Sequence, residues 1–132
     1  SEARLTVTDA MSRTGKKCGV ITLTKAGVFT EIGSENQVYK GQNLRGSSYI
    51  EFDYKGEGEI AVGLAKTLGT ITTIEYFLFV PARSDWNRIY IDVTNKTSPN
   101  NYDSYRLLLG FTKTGHNAEN KIYIDNYKHI HF

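Results

Sequence analysis

A chain of 132 residues and 14.9 kDa is one domain's worth, and area scaling expects such a chain to bury about two-thirds of the surface it exposes when unfolded. The single cysteine, Cys18, excludes an internal disulfide framework. Sixteen Lys and Arg against fourteen Asp and Glu leave a formal charge of +2 with no basic block, which argues against a nucleic-acid partner held by phosphate contacts.

Clusters of Gly, Asn, Asp and Ser break the chain into short runs rich in Val, Ile, Thr, Tyr and Phe, residues that suit a pleated, half-buried surface. Strands are predicted at residues 4–8, 19–24, 28–32 and 37–39, followed by a polar loop over 41–46. Residues 48–54 alternate cleanly, with Ile50, Phe52 and Tyr54 on one face and Tyr49, Glu51 and Asp53 on the other. Further strands follow at 59–65, 72–80 and 87–94, the last turning Ile89, Ile91 and Val93 inward. Residues 94–103 are polar throughout and read as a long surface loop. Strands at 104–112 and 121–131, with a loop over 114–120 between them, complete the chain.

No helical period lasts beyond about two turns, so the fold class is all-β. Ten short strands in one domain, 1–132, call for two antiparallel sheets packed face to face. Their uneven lengths and connections favour a jelly-roll sandwich over a small barrel. The expected core is Ile21, Leu23, Phe29, Ile50, Phe52, Val62, Leu64, Phe77, Phe79, Ile89, Ile91, Leu107, Leu109, Ile122 and Ile124. No apolar run approaches the ~18 residues of a membrane span and none resembles a signal peptide, so membrane contact is expected only through an anchor trimmed from this chain.

The order of elements in the second half carries a resemblance. The run Tyr49-Ile50-Glu51-Phe52-Asp53-Tyr54-Lys55 precedes Ile60-Ala61-Val62-Gly63-Leu64. Then come Asp85-Trp86-Asn87-Arg88-Ile89-Tyr90-Ile91-Asp92-Val93-Thr94, Tyr105-Arg106-Leu107-Leu108-Leu109-Gly110-Phe111 and Ile122-Tyr123-Ile124-Asp125-Asn126-Tyr127-Lys128. Over about residues 18 to 132 this resembles the galactose-binding-like jelly roll of uncharacterised surface lipoproteins from Bacteroides-group gut bacteria, and more broadly the jelly-roll carbohydrate-binding modules. The resemblance implies an extracytoplasmic protein, at the cell surface or in the periplasm. Its motifs speak for the fold more than for function, because such folds host many activities.

In calcium-binding members of those modules the residue matching Asp125 helps hold a structural ion. The resemblance therefore implies Ca²⁺ on Asp125 and Asp9, with Glu2 and backbone carbonyls completing the six to eight oxygens the ion takes. The plainer reading is that Asp125 and Asn126 tie down a neighbouring loop by hydrogen bonds. Trp86, the only tryptophan, sits in the fold-specific motif and reads as a seal on one end of the sandwich rather than as a sugar platform. His129 and His131 share a strand face at a spacing that can chelate zinc. Beyond His116 no third ligand suggests itself, and a solvated strand end is the simpler account. Cys18 follows Lys16 and Lys17, but the sequence identifies no base to activate it, so it reads as a buried or idle thiol.

Catalytic chemistry finds little support. The chain has no Gly-x-Ser-x-Gly elbow, no phosphate loop and no His-Glu-x-x-His. Glycoside hydrolysis needs two carboxylates about 5 to 10 Å apart across a cleft. Glu51 and Asp53, with Glu57 and Glu59 nearby, form an outward group that a solvent-facing strand explains without catalysis.

The sequence therefore points to a non-catalytic, carbohydrate-binding-type module. Aromatic rings stack on sugar C–H groups while Asn, Asp and Arg hydrogen-bond hydroxyls. One expected site lies in a loop around Tyr102, with Asn100, Asn101 and Asp103. A second lies on a concave sheet face and draws on Tyr49, Glu51, Tyr76 and Arg106, and Tyr39 is a further platform candidate. The loops are slightly preferred. The alternative class is a structural or adhesion module with a protein partner, which an exposed apolar patch would favour.

Overall fold

The protein is described from a computed structural model, which covers residues 3–8, 12–27, 29–33, 39–40, 47–97 and 102–131. The strands are β1 (Ala3–Thr8), β2 (Cys18–Leu23), β3 (Phe29–Gly33), β4 (Tyr39–Lys40), β5 (Ser48–Gly56), β6 (Glu59–Leu68), β7 (Ile71–Pro81), β8 (Asn87–Asp92), β9 (Ser104–Thr112) and β10 (Asn120–His131). A single helical turn, α1 (Thr94–Thr97), follows β8.

The strands form two antiparallel sheets, one in the order β1-β2-β10-β5-β8 and the other β3-β9-β6-β7, with β4 pairing the start of β9. The expected all-β, two-sheet antiparallel sandwich is what forms. Strand β8 stops at Asp92, two residues earlier than expected, because the Asp92 carboxylate accepts the Thr94 N–H at 2.9 Å and turns the chain into α1.

Inward positions of the two sheets meet in one core. Ile21, Leu23, Ile50, Phe52, Ile91 and Ile122 of the first sheet face Ile60, Val62, Leu64, Leu107 and Phe111 of the second. Ile89, Leu109, Phe77 and Ile124 are half-buried at its margin.

Two expected core residues lie outside. Phe29 is 45% exposed and Phe79 57%. Phe29 shares its face with Glu31, and it is Ile32 that packs on the core. Phe79 is turned out by a bulge: Val62 pairs Leu78 but Gly63 pairs Tyr76, so Phe77 is an extra residue in β7. One inserted residue reverses the alternation beyond it. Leu78 and Val80 therefore turn to the core, and Phe79 does not.

The outward face of β5 also departs from expectation. Glu51 is 5% exposed and Asp53 fully buried, where strand alternation predicts solvent-facing carboxylates. Arg88 of β8 and Arg13 of the β1–β2 connection reach across this face and cover the carboxylates with opposite charge.

Candidate functional site

Strand pairing fixes what the outer face of the second sheet carries. The two central strands contribute Gly110, Leu108 and Arg106 from β9 and Ala61, Gly63 and Ala65 from β6. The flanking strands contribute Phe29, Glu31 and Gly33 on one side and Ile74, Tyr76 and Phe79 on the other. Small residues in the middle with large ones on both flanks make a trough, and its floor residues Ala61, Ala65 and Leu108 are buried.

The rings lean in over that floor. Phe29 and Tyr76 meet edge to face with centroids 5.0 Å apart, although two strands separate β3 from β7. Their approach depends on glycine. A Cβ at Gly110 would stand 1.9 Å from Phe29 Cζ, and one at Gly63 would stand 2.6 Å from the Glu75 carbonyl oxygen and 2.7 Å from Tyr76 Cδ1. The Tyr76 hydroxyl donates to Glu31 Oε2 at 2.5 Å, which ties β7 to β3 above the trough. Burial, and then the Glu31 carboxylate, push the Tyr76 phenol well above its ordinary pKa, so it remains a donor. Arg106 lies at the other end of the trough, directed toward β3: a Cβ at Gly33 would be 3.4 Å from its Nε.

This arrangement divides the expected sheet-face site. Tyr76 and Arg106 share the trough, whereas Tyr49 and Glu51 lie on β5, in the other sheet and on the opposite side of the sandwich. Any outward strand residue looks alike in sequence, and only pairing assigns it to a sheet. Phe29, Glu31, Ile74 and Phe79 join the trough without being expected from sequence as site residues. The parity of Phe29 with Glu31 was a usable signal, while the bulge that exposes Phe79 left none.

The loop expected around Tyr102 is only partly in view, because Asn100 and Asn101 lie outside the described residues. Tyr102 packs edge to face on buried Tyr105 at 5.9 Å, and Lys66 Nζ lies 5.5 Å from its ring centroid. Asp103 accepts the Gly69 N–H at 2.7 Å and donates its own N–H to the Thr67 carbonyl, so it braces the β6–β7 turn. A polar recess of about 650 Å³ opens among Glu57, Ser84, Asn117, Lys121 and Tyr123. Between the sheets lies an apolar recess of about 310 Å³ lined by Ile21, Ile32, Leu107, Leu109, Ile124 and Tyr127, with almost no polar surface to orient a hydroxylated ligand.

Asp125 and Asn126 do tie down a loop. Asp125 Oδ2 accepts the N–H groups of Arg13 and Thr14 at 2.9 and 3.1 Å, Oδ1 accepts the Asn126 N–H, and Thr14 Oγ1 donates to Asn126 Oδ1. Asp9 and Glu2, the other expected calcium ligands, lie outside the described residues, as do the side chains of Tyr39, His129 and His131. Among the described residues no three His, Cys, Asp or Glu side chains converge as a metal site. Cys18 is buried, which raises its thiol pKa, and Asp125 raises it further. Trp86 is half-buried with Lys55 Nζ 5.6 Å from its ring centroid, at the β8 end of the first sheet.

No protein-family model and no curated protein matches the chain. Solved structures do match its fold. The family 30 carbohydrate-binding module of a cellulosomal cellulase from Clostridium thermocellum superposes with a TM-score of 0.66 at 16% identity, over 96% of this chain and 82% of that one. The module TmCBM61, solved in complex with β-1,4-galactotriose, gives 0.64 at 14% identity, over 98% and 88%. The enzymatically active domain of tailspike protein 4 from bacteriophage CBA120 gives 0.72 at 9% identity over 98% of this chain, which spans only 18% of that protein. At these identities the likeness is one of fold: a β-sandwich of the kind found in carbohydrate-binding modules.

Proposed function

We propose that the protein is a non-catalytic carbohydrate-binding module whose glycan lies along the trough of the second sheet. The observation that carries this reading is the Phe29–Tyr76 pair set over the glycines of the central strands, with Glu31 beside it and Arg106 at the other end of the trough. Rings supply faces and edges for sugar C–H groups, and the flanking polar groups supply orientation. The fold shared with modules such as the one holding galactotriose supports it. The absence of catalysis is supported by Glu51 and Asp53, whose carboxylates are buried and engaged with arginines instead of facing each other across a cleft. The likeness of fold to carbohydrate-binding modules supports an extracytoplasmic location, at the cell surface or in the periplasm; fractionation of the native protein tests that placement.

The decisive experiment is a glycan array followed by titration calorimetry with Tyr76→Ala, Tyr102→Ala and Tyr123→Ala. Single-site affinities of micromolar to millimolar are expected, about −4 to −8 kcal/mol. Loss of binding on Tyr76→Ala alone supports the trough. Loss on Tyr102→Ala or Tyr123→Ala alone moves the site to the corresponding sandwich end.

A protein partner is the second reading, and one observation favours it. Ile74 and Phe79, on the outward face of edge strand β7, are 50% and 57% exposed. Exposed apolar side chains on an edge strand offer a surface on which proteins dock. Absence of any glycan hit on the array would make this the better account.

A further inference from the structure

We infer that the trough selects a glycan bearing carboxylates, with Arg106 as the residue that receives the acid group; this rests on the trough being the glycan site. Arg106 Nε is buried without a hydrogen-bond partner, and among the described residues no hydrogen bond or ion pair reaches its guanidinium. Arg13 and Arg88, by contrast, are both engaged, each holding Asp53. A guanidinium is a rigid fork of donors matched to a carboxylate, and leaving it unpaired among apolar neighbours is unfavourable.

Among the described residues no counter-charge lies at that spot. Glu31 pairs with Gly110, four residues along β9 from Arg106, which places the two about 13 Å apart at ordinary strand rise. Its carboxylate is already held by the Tyr76 hydroxyl. Arg106 instead lies beside Ala65, Leu108 and Gly33, which are small or apolar, at the end of the trough away from Phe29. A neutral sugar offers this fork only weak acceptors. A uronic acid residue offers it two charged oxygens, while the next rings of the polymer run back over Phe29 and Tyr76. The ligand class that completes the site is an acidic polysaccharide.

The test uses matched pairs of polymers: polygalacturonate, alginate and hyaluronan, each beside its carboxyl-reduced form. The full chain is titrated at low and at raised salt. The expected result is a preference of about tenfold or more for the charged member of at least one pair. Salt should weaken that preference, Arg106→Gln should abolish it, and Arg106→Lys should restore it only in part. Tyr76→Ala should weaken the charged and reduced members alike. Equal or tighter binding of the reduced forms overturns the acidic-ligand inference and leaves the carbohydrate-binding reading standing. A preference that survives Arg106→Gln overturns the role of Arg106. Failure to bind any charged, reduced or neutral glycan overturns both readings together.

Discussion

Arg88 holds both carboxylate oxygens of Asp53, Nε donating to Oδ1 at 2.8 Å and Nη2 to Oδ2 at 3.0 Å. Asn126 Nδ2 adds a third bond at 2.7 Å and Arg13 Nη1 a fourth at 3.3 Å, so this fully buried acid is saturated with donors. The Arg88 hydrogen bonds, more than any other contact, hold its carboxyl below the ordinary carboxylate pKa. Three segments distant in sequence are pinned by one side chain: β8, Asn126 of β10, where the register on β5 shifts between Asp125 and Lys128, and the β1–β2 connection.

Asp53→Ala should therefore destabilise the fold by about 2–4 kcal/mol, below the full range for a broken buried ion pair because both guanidiniums reach solvent. A carboxyl with a depressed folded pKa contributes above its unfolded value near 4 and loses that contribution as pH falls toward the folded one. Urea denaturation of the wild type should weaken below about pH 4, and Asp53→Asn should flatten that acid limb. An unchanged limb in Asp53→Asn would remove Asp53 as its source.

Glu75 behaves alike but more weakly. Lys66 at 2.9 Å and Lys96 at 2.6 Å pull its carboxyl from 4.5 to about 2, so its contribution is present above about pH 4.5 and fades toward pH 2. The carboxylate is 38% exposed, and solvent screening should hold the cost of Glu75→Gln below about 1 kcal/mol. Thermal melts in rising salt should bring the variant and the wild type together.

Much of this architecture was legible because period-two alternation and turn residues act locally. The strands came out close to their predicted bounds, and Ile50, Phe52, Ile91 and Ile122 went where parity sent them. What parity cannot show is the partner strand. Glu51 and Asp53 looked like solvent residues until Arg13 and Arg88 arrived from other segments to cover them. Tyr49 and Tyr76 looked equally available as platforms until β5 and β7 joined different sheets. The bulge at Phe77 exists only in register with Val62 and Gly63, so its reversal of Phe79 was invisible in a single strand.

That reversal predicts opposite outcomes for two phenylalanines read alike from sequence. Phe52→Ala, at a fully buried site, should cost about 3–5 kcal/mol. Phe79→Ala removes a side chain that is 57% exposed and should stay within about 1 kcal/mol of wild type. Denaturant midpoints measure both, and a Phe79→Ala loss comparable to that of Phe52→Ala would refute the outward turn.

Gly110→Ala separates the trough from the fold. The new methyl would occupy the position 1.9 Å from Phe29 Cζ, so the ring must leave the central strands and its contact with Tyr76. Because Phe29 is 45% exposed, the ring can swing toward solvent without disturbing the core, and the stability cost should fall at or below the low end of the ~1–3 kcal/mol typical of overpacking. Glycan affinity should fall about tenfold or more, since a platform ring worth at least ~1.4 kcal/mol is displaced. Phe29→Ala in the same background tests the path of the effect. If the ring is the whole cause, the double variant should bind no more weakly than Gly110→Ala alone. A further independent loss would place the damage in the strand itself, outside the aromatic pair.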